Sequence, residues 1–331
     1  MLTRRISNRV SRAYRQAKYS IRNISYSVGL NLSFFRNARG ARILVYHGIC
    51  AKDHLQFNTL FLTKEVFESQ LRFYKKYFNV VSLDDYYQCK FDESRFNVCL
   101  SFDDGFANNH KYVLPLLEQY KLPAAFLITS VRDAGYDILW TDIMSIAYKY
   151  GPASIQFSGD NFIKKNRDYV SSSTGQRLVD VLRSTESDEK EGIMELLMSV
   201  KQRTHEDYWL QMTADQIKHL SASKWATIGS HSHFHHDLAK ISRPVLTNDL
   251  VRSKRYLENV TGKEIKALAF PFGSYNESVV QEAKRAGYQQ LLATEFLFAD
   301  SRHDTTMRER LTLNPFISVF NQMHAIVKGR Y

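Results

Sequence analysis

Cysteine is scarce in this 331-residue chain: there are three, Cys50, Cys89 and Cys99, and their spacing is not that of metal ligands. So sparse and odd a count supplies no disulfide framework and favours a reducing compartment. No run of about 18 apolar residues occurs, which excludes a transmembrane helix on sequence grounds. Acidic residues are missing from positions 1–40, which hold nine basic ones: Arg4, Arg5, Arg9, Arg12, Arg15, Lys18, Arg22, Arg36 and Arg39. Because Arg and Lys interrupt this segment throughout, it does not read as a secretory signal peptide with its apolar core. Internal repeats and low-complexity stretches are also missing.

The 44% hydrophobic and 24% charged content is that of a soluble globular protein. The formal net charge of +11 resides mostly in the N-terminus; the remaining residues carry 36 basic against 34 acidic side chains. A nearly neutral body gives no reason to expect nucleic-acid binding. In residues 1–40, Val10, Ala13, Tyr14, Ala17 and Ile21 recur at helical spacing, with Arg9, Arg12, Arg15 and Lys18 mostly to the other side. That pattern suits a basic amphipathic helix on an anionic membrane, with Ile24 to Phe35 deepening the contact. A basic tail and a mitochondrial-type presequence are the rival readings.

From Arg42 onward strand and helix signals alternate. Ile43 to Tyr46, Val80 to Leu83, Val98 to Phe102, Ala124 to Ile128, Trp225 to Ile228, Ala267 to Phe270 and Gln290 to Ala293 read as strands. Thr63 to Phe78, Asn109 to Tyr120, Asn248 to Val260 and Ser278 to Ala286 read as helices. Repeated strand–helix units imply an α/β fold with parallel strands, a (β/α) barrel. Residues 140–215 break the rhythm and read as a helical insertion, with helices over Gln176–Arg183 and Glu191–Gln202. Thr213 to Gln216 forms a capping box ahead of Leu220. The domain expectation is therefore a basic segment over 1–40 and a catalytic unit over 41–331.

Two strand ends carry chemistry. Asp103 and Asp104 follow the apolar run ending at Phe102, and His231 and His235 follow the run ending at Gly229. One carboxylate and two imidazoles suit Zn²⁺, and also Co²⁺, Ni²⁺ or Mn²⁺. Three protein ligands leave a coordination position open, as a catalytic site needs. The second aspartate is then free to act as a base. His233 and His236 read as loop residues, and His47 as either core or site lining. Trp140 and Asp142 open the insertion, where an aromatic is more often core than a sugar platform.

Leu100 to Gly105, His231 to His235 and Phe270-Pro271-Phe272-Gly273 resemble successive motifs of the polysaccharide deacetylase (NodB-like) family. Val45 to Ile49, Phe67 to Asp85 and Pro123 to Phe126 extend the resemblance to roughly residues 41–300. It implies a distorted, TIM-like (β/α) barrel and a divalent metal, most simply Zn. It further implies removal of N- or O-linked acetyl groups from sugars, N-acetyl foremost. The basic N-terminus, the lack of a signal-peptide core and the few cysteines add the expectation of a bacterial cell-surface glycan or its lipid-linked precursor as substrate. Asp104, His231 and His235 take the ligand positions, Asp103 the base, and the Phe272 backbone N–H the oxyanion donor. Ser232 supports the ligand loop, Pro271 stands behind the site or at the substrate, and Tyr275, like the Phe272 side chain, is either rim packing or substrate-facing.

The chain departs from the family twice. Ala269 stands where many relatives have an arginine that orients the base, a role open to Arg308 or Arg310. No histidine after Leu291 sits in the family's last motif, since His303 and His324 lack its setting, so the leaving-group acid is unassigned. Other C–N substrates, such as a formamido sugar or a cyclic amide, and a catalytically silent glycan- or membrane-binding member are the alternatives. The expected location is cytoplasmic, peripheral on the inner face of the membrane.

Overall fold

The structure is a computed structural model describing residues 2–331, with side chains described at 14 and from 16 onward. Arg4, Arg5, Arg9, Val10, Arg12, Ala13 and Arg15, invoked above, have side chains outside the described residues.

The strands, in chain order, are β1 Gly40–Tyr46, β2 Ile49–Cys50, β3 Leu62–Thr63, β4 Phe78–Val80, β5 Phe96–Phe102, β6 Ala124–Ile128, β7 Ser154–Phe157, β8 Asp160–Lys165, β9 Asp168–Ser171, β10 Ala226–Ser230, β11 Ala267–Ala269, β12 Gln290–Ala293 and β13 Met307–Thr312. The α-helices are α1 Leu2–Ser27, α2 Leu32–Arg36, α3 Lys64–Tyr77, α4 Leu83–Tyr87, α5 Leu114–Tyr120, α6 Trp140–Tyr150, α7 Leu178–Arg183, α8 Ser187–Leu197, α9 Ala214–Ala222, α10 Arg243–Thr261, α11 Glu277–Arg285 and α12 Val319–Lys328.

Seven parallel strands run β1-β13-β12-β11-β10-β6-β5 and close on themselves through β1–β5, with β4 added beside β5. Closure leaves no edge among the seven. Strand period sorts the side chains. Cys99 on β5, Ile43 on β1, Ala125 and Leu127 on β6, Ala267 and Ala269 on β11 and Leu292 on β12 form one small inner cluster. The alternate residues, among them Leu44, Tyr46, Leu100, Phe102 and Phe126, pack outward beneath the helices. Phe102 stacks between Tyr46 and Phe126, centroids 4.9 and 5.1 Å away. The lumen is narrow: a Cβ at Gly229 would lie 2.5 Å from Leu127 Cδ1. Parity then carries Asp103 to the lumen side, in line with Cys99 and Ser101.

The helix signals hold locally. Thr63 Oγ1 accepts from Val66 N at 3.3 Å and starts α3, which buries Phe67, Leu71 and Tyr74. The Thr213–Gln216 capping box is present at the start of α9. The strand expected over Val80–Leu83 instead ends at Val80, and α4 begins at Leu83. The Ser82 hydroxyl accepts from Asp85 N at 3.1 Å, so the cap overrides the short apolar run. Besides its expected helices, the insertion carries an antiparallel three-stranded sheet, β7-β8-β9. Ser158 and Gly159, both at positive φ, form the first turn. Its core, built on Trp140, Phe162, Tyr169 and Leu182, runs into Phe61, Phe106 and Phe234 of the barrel.

Candidate active site

The paired aspartates leave β5 through a tight turn in which Asp104 has φ 76° and Gly105 φ 87°. Glycine is needed at 105, where a Cβ would stand 2.7 Å from Ile128 Cγ2. Asp103 N donates to the Tyr46 carbonyl at 2.9 Å, and Thr129 Oγ1 donates to the Asp104 carbonyl at 2.7 Å. Both carboxyl groups are thereby fixed above the lumen.

The histidines leave β10. His231 Nδ1 donates to the Ala269 carbonyl at 2.9 Å, which leaves Nε2 free as a ligand. His231 Nε2 and His235 Nε2 lie 3.4 and 3.3 Å from Asp104 Oδ1. One ligand atom from each of Asp104, His231 and His235 falls within 4.8 Å of the other two. Three buried donors converging so closely, one imidazole with its second nitrogen already engaged, fit a divalent cation.

Asp249 on α10 holds this loop in place. Its carboxylate accepts from Ser232 Oγ at 3.0 Å, His233 N at 2.9 Å and Phe234 N at 3.1 Å. Ser232 thus supports the ligand loop. From the insertion, Trp140 Nε1 donates to the His235 carbonyl at 3.0 Å. Neither partner has a local sequence signal.

Asp103 meets Arg310 of β13. Arg310 Nη1 and Nη2 donate to Asp103 Oδ1 and Oδ2 at 2.7 and 2.8 Å, and Nη1 also donates to Ser101 Oγ at 3.2 Å. Burial pushes the Asp103 carboxyl up, but Arg310 and then His231 hold it below its ordinary value. Asp104 behaves likewise: burial raises it, and hydrogen bonds from His231 and His235 carry it well below. Arg308, the other candidate, packs over the Tyr87 ring at 4.7 Å.

These groups open into a cavity of about 300 Å³ lined also by His47, Asn58, Thr141, Phe272 and Thr294. His47 follows β1, its Nδ1 has no hydrogen-bond partner, and burial lowers its pKa against the pull of Asp104 and Asp103. Pro271 is buried and opens the turn that sets Phe272 at φ 59°. The Phe272 ring lies 4.7 Å from the His235 ring and beneath the Arg183 guanidinium, 4.4 Å away.

Comparison with known proteins gives the family and the fold. Residues 91–291 match the family model described as polysaccharide deacetylase. The chain belongs to the polysaccharide deacetylase family. Over 84 residues it is 27% identical to YxkH of Bacillus subtilis (strain 168), which is named for the same family; the match spans 25% of this chain and 30% of that relative's length. The Streptococcus pyogenes deacetylase PplD, solved with acetate, superposes with TM-score 0.57 at 18% identity, over 87% of this chain and 99% of the other. A de-N-acetylase from Aggregatibacter actinomycetemcomitans gives 0.53 at 18%, over 86% and 99%. At such identity the two structures speak to the barrel fold alone.

Several residues lie outside this polysaccharide deacetylase cavity. Of the two roles open to Tyr275, the structure gives packing: it is buried, its ring stacks on Phe270, and its hydroxyl bonds Ser301 Oγ and Leu297 N. It thereby braces the turn, held against Phe270 and tied to the 297–301 segment. His233 Nδ1 pairs with Ser130 Oγ at 2.8 Å, and His236 Nδ1 with the buried Lys190 Nζ at 2.7 Å. Burial lowers that lysine to about 7. His324 of α12 stacks on Phe34 of α2. Asp142 is buried with one unpartnered oxygen, and burial raises it well above an ordinary carboxyl.

Proposed function

We propose that this protein hydrolyses the N-acetyl group of a sugar unit in a cell-surface glycan or its lipid-linked precursor. The observation that carries the reading is the Arg310–Asp103 ion pair set beside Asp104, His231 and His235 in one open cavity. It pairs a carboxylate kept ionised with a ligand set for a divalent cation.

Asp104, His231 and His235 hold the ion, with Zn²⁺ the simplest candidate and Co²⁺, Ni²⁺ or Mn²⁺ also suited to the donors. When bound, such an ion acidifies water and polarises an acyl oxygen. Asp103 takes the proton of the attacking water, and Arg310 fixes the direction of its lone pairs. The Phe272 backbone N–H serves as oxyanion donor. His47, which lines the cavity, relays to the departing amine the proton that Asp103 takes from the water. That fills the place left by the missing late histidine. A cavity of about 300 Å³ takes one sugar ring with its acetamido arm. An anionic membrane surface, on the inner face of the cell membrane, is the second partner in this reading.

The test is acetate release from N-acetylated oligosaccharides by metal-loaded protein. Asp103→Asn should abolish it with metal still bound; wild-type turnover in that variant would remove Asp103 as the base.

A further inference from the structure

Helix α1 has two opposed faces. Tyr19, Arg22, Asn23 and Tyr26, at helical spacing, dock on α12: Ser318 Oγ donates to Asn23 Oδ1 at 2.6 Å, Asn321 Nδ2 donates to the Tyr19 carbonyl at 3.2 Å, and Tyr26 stacks on Phe320 at 5.2 Å. The other face carries Ile21 and Ile24, exposed by 66 and 65% and continued by Val28 just past the helix end at 63%, while Tyr14, 72% exposed, stands at the border of the two faces. With Ala17 these positions repeat at three and four residues, an uninterrupted apolar stripe. No helix among the described residues is long and apolar enough to cross a membrane.

Between the two helices lies a cavity of about 570 Å³ lined by Lys18, Arg22, Lys328 and Arg330, with Tyr14 and His324. Among the described residues none of the four cations pairs with a carboxylate. Their field is evident at His324, which burial lowers to about 4 with Arg22, Lys328 and Lys18 adding to the effect. Unneutralised cations held together at the flank of an apolar stripe call for an anion from outside the chain.

We propose that the α1–α12 seam binds the phosphate headgroup of an anionic phospholipid while the α1 stripe enters the acyl boundary of the same bilayer. This rests on the membrane reading and adds a defined headgroup site to it. A second copy of the chain is the weaker occupant. Residues 1–40 hold nine cations and no acid, so two such helices repel, whereas an anionic bilayer attracts both. Near an anionic surface each cation adds about fivefold to binding.

The full-length protein is sedimented with phosphatidylcholine vesicles, with and without phosphatidylglycerol. Binding should require phosphatidylglycerol. The double variant Lys18→Glu/Lys328→Glu should weaken it at least about tenfold. A control of equal charge change on the exposed β8–β9 turn, Lys165→Glu/Arg167→Glu, should bind as wild type. Ile21→Asp/Ile24→Asp should lose binding too, with deacetylation of a soluble oligosaccharide unchanged in all three. If the seam variant matches the control while the stripe variant fails, the headgroup site is wrong and the membrane reading survives. If neither seam nor stripe variant alters binding, or wild type ignores the vesicles, both fall. A wild-type dimer in sedimentation velocity that the stripe variant dissociates would assign the stripe to a second copy and overturn the proposal.

Discussion

Arg310 grips Asp103 with both terminal nitrogens, at 2.7 and 2.8 Å, from a strand 207 residues further along the chain. The pair is buried, so its geometry sets both the direction and the charge of the carboxylate.

Replacing Arg310 by Met should therefore do two things. Activity should collapse, and whatever remains should show its acid limb at higher pH, because the guanidinium no longer holds Asp103 below its ordinary value. Leaving a buried carboxylate unpaired should also cost about 3–5 kcal/mol of stability. A pH–rate profile beside urea unfolding separates the two; an unmoved acid limb would break the link to Asp103.

Asp249→Ala leaves every ligand side chain in place but frees the loop that Asp249 ties at Ser232, His233 and Phe234. Co²⁺ titration followed by its absorption bands should show affinity falling by about 10–100-fold. Unchanged affinity would mean that the loop holds its shape without this helix.

Zn²⁺ should raise the melting temperature of the wild type and of Asp103→Asn, but not of Asp104→Ala or His235→Ala. Binding to the folded state alone stabilises it by about 2.7 kcal/mol at one hundred times the dissociation constant. Equal shifts in all four proteins would place the ion elsewhere.

Lys190 is fully buried and lowered from 10.5 to about 7. Between those values the unfolded chain binds more protons than the folded one, so wild-type stability gains as pH rises. Lys190→Met removes this titration. It should be the more stable protein at pH 7, and its advantage should shrink by up to about 1.4 kcal/mol per pH unit toward pH 10.5. Urea unfolding across that range measures the slope; a constant difference would mean the amine stays charged.

What the sequence made legible was local. Asp103 and Asp104 close an apolar strand, and His231 and His235 follow another, so chemistry and placement share a few adjacent residues. Arg310 could be named only as one of two late arginines; strand parity, which sends 310 to the lumen beside Ile43, made the choice. Asp249 and Trp140 act on the histidine loop from another helix, 16 and 95 residues away, and packing alone reveals them. Tyr275 could be read either way because an aromatic near such a turn looks the same whether it faces the cavity or the core. The β7–β9 sheet was missed because its strands are short and polar, though Ser158-Gly159 marked a turn.

The closure of the barrel has a consequence for biosynthesis. Strand β13 fills the gap between β12 and β1, and it alone carries Arg310. A nascent chain that has not yet emitted residue 310 already contains the base, all three ligand residues and His47, but neither the closed ring nor the counter-ion that charges the base. Ring closure and the charge partner of Asp103 therefore arrive together, with one of the last segments of the chain to be made.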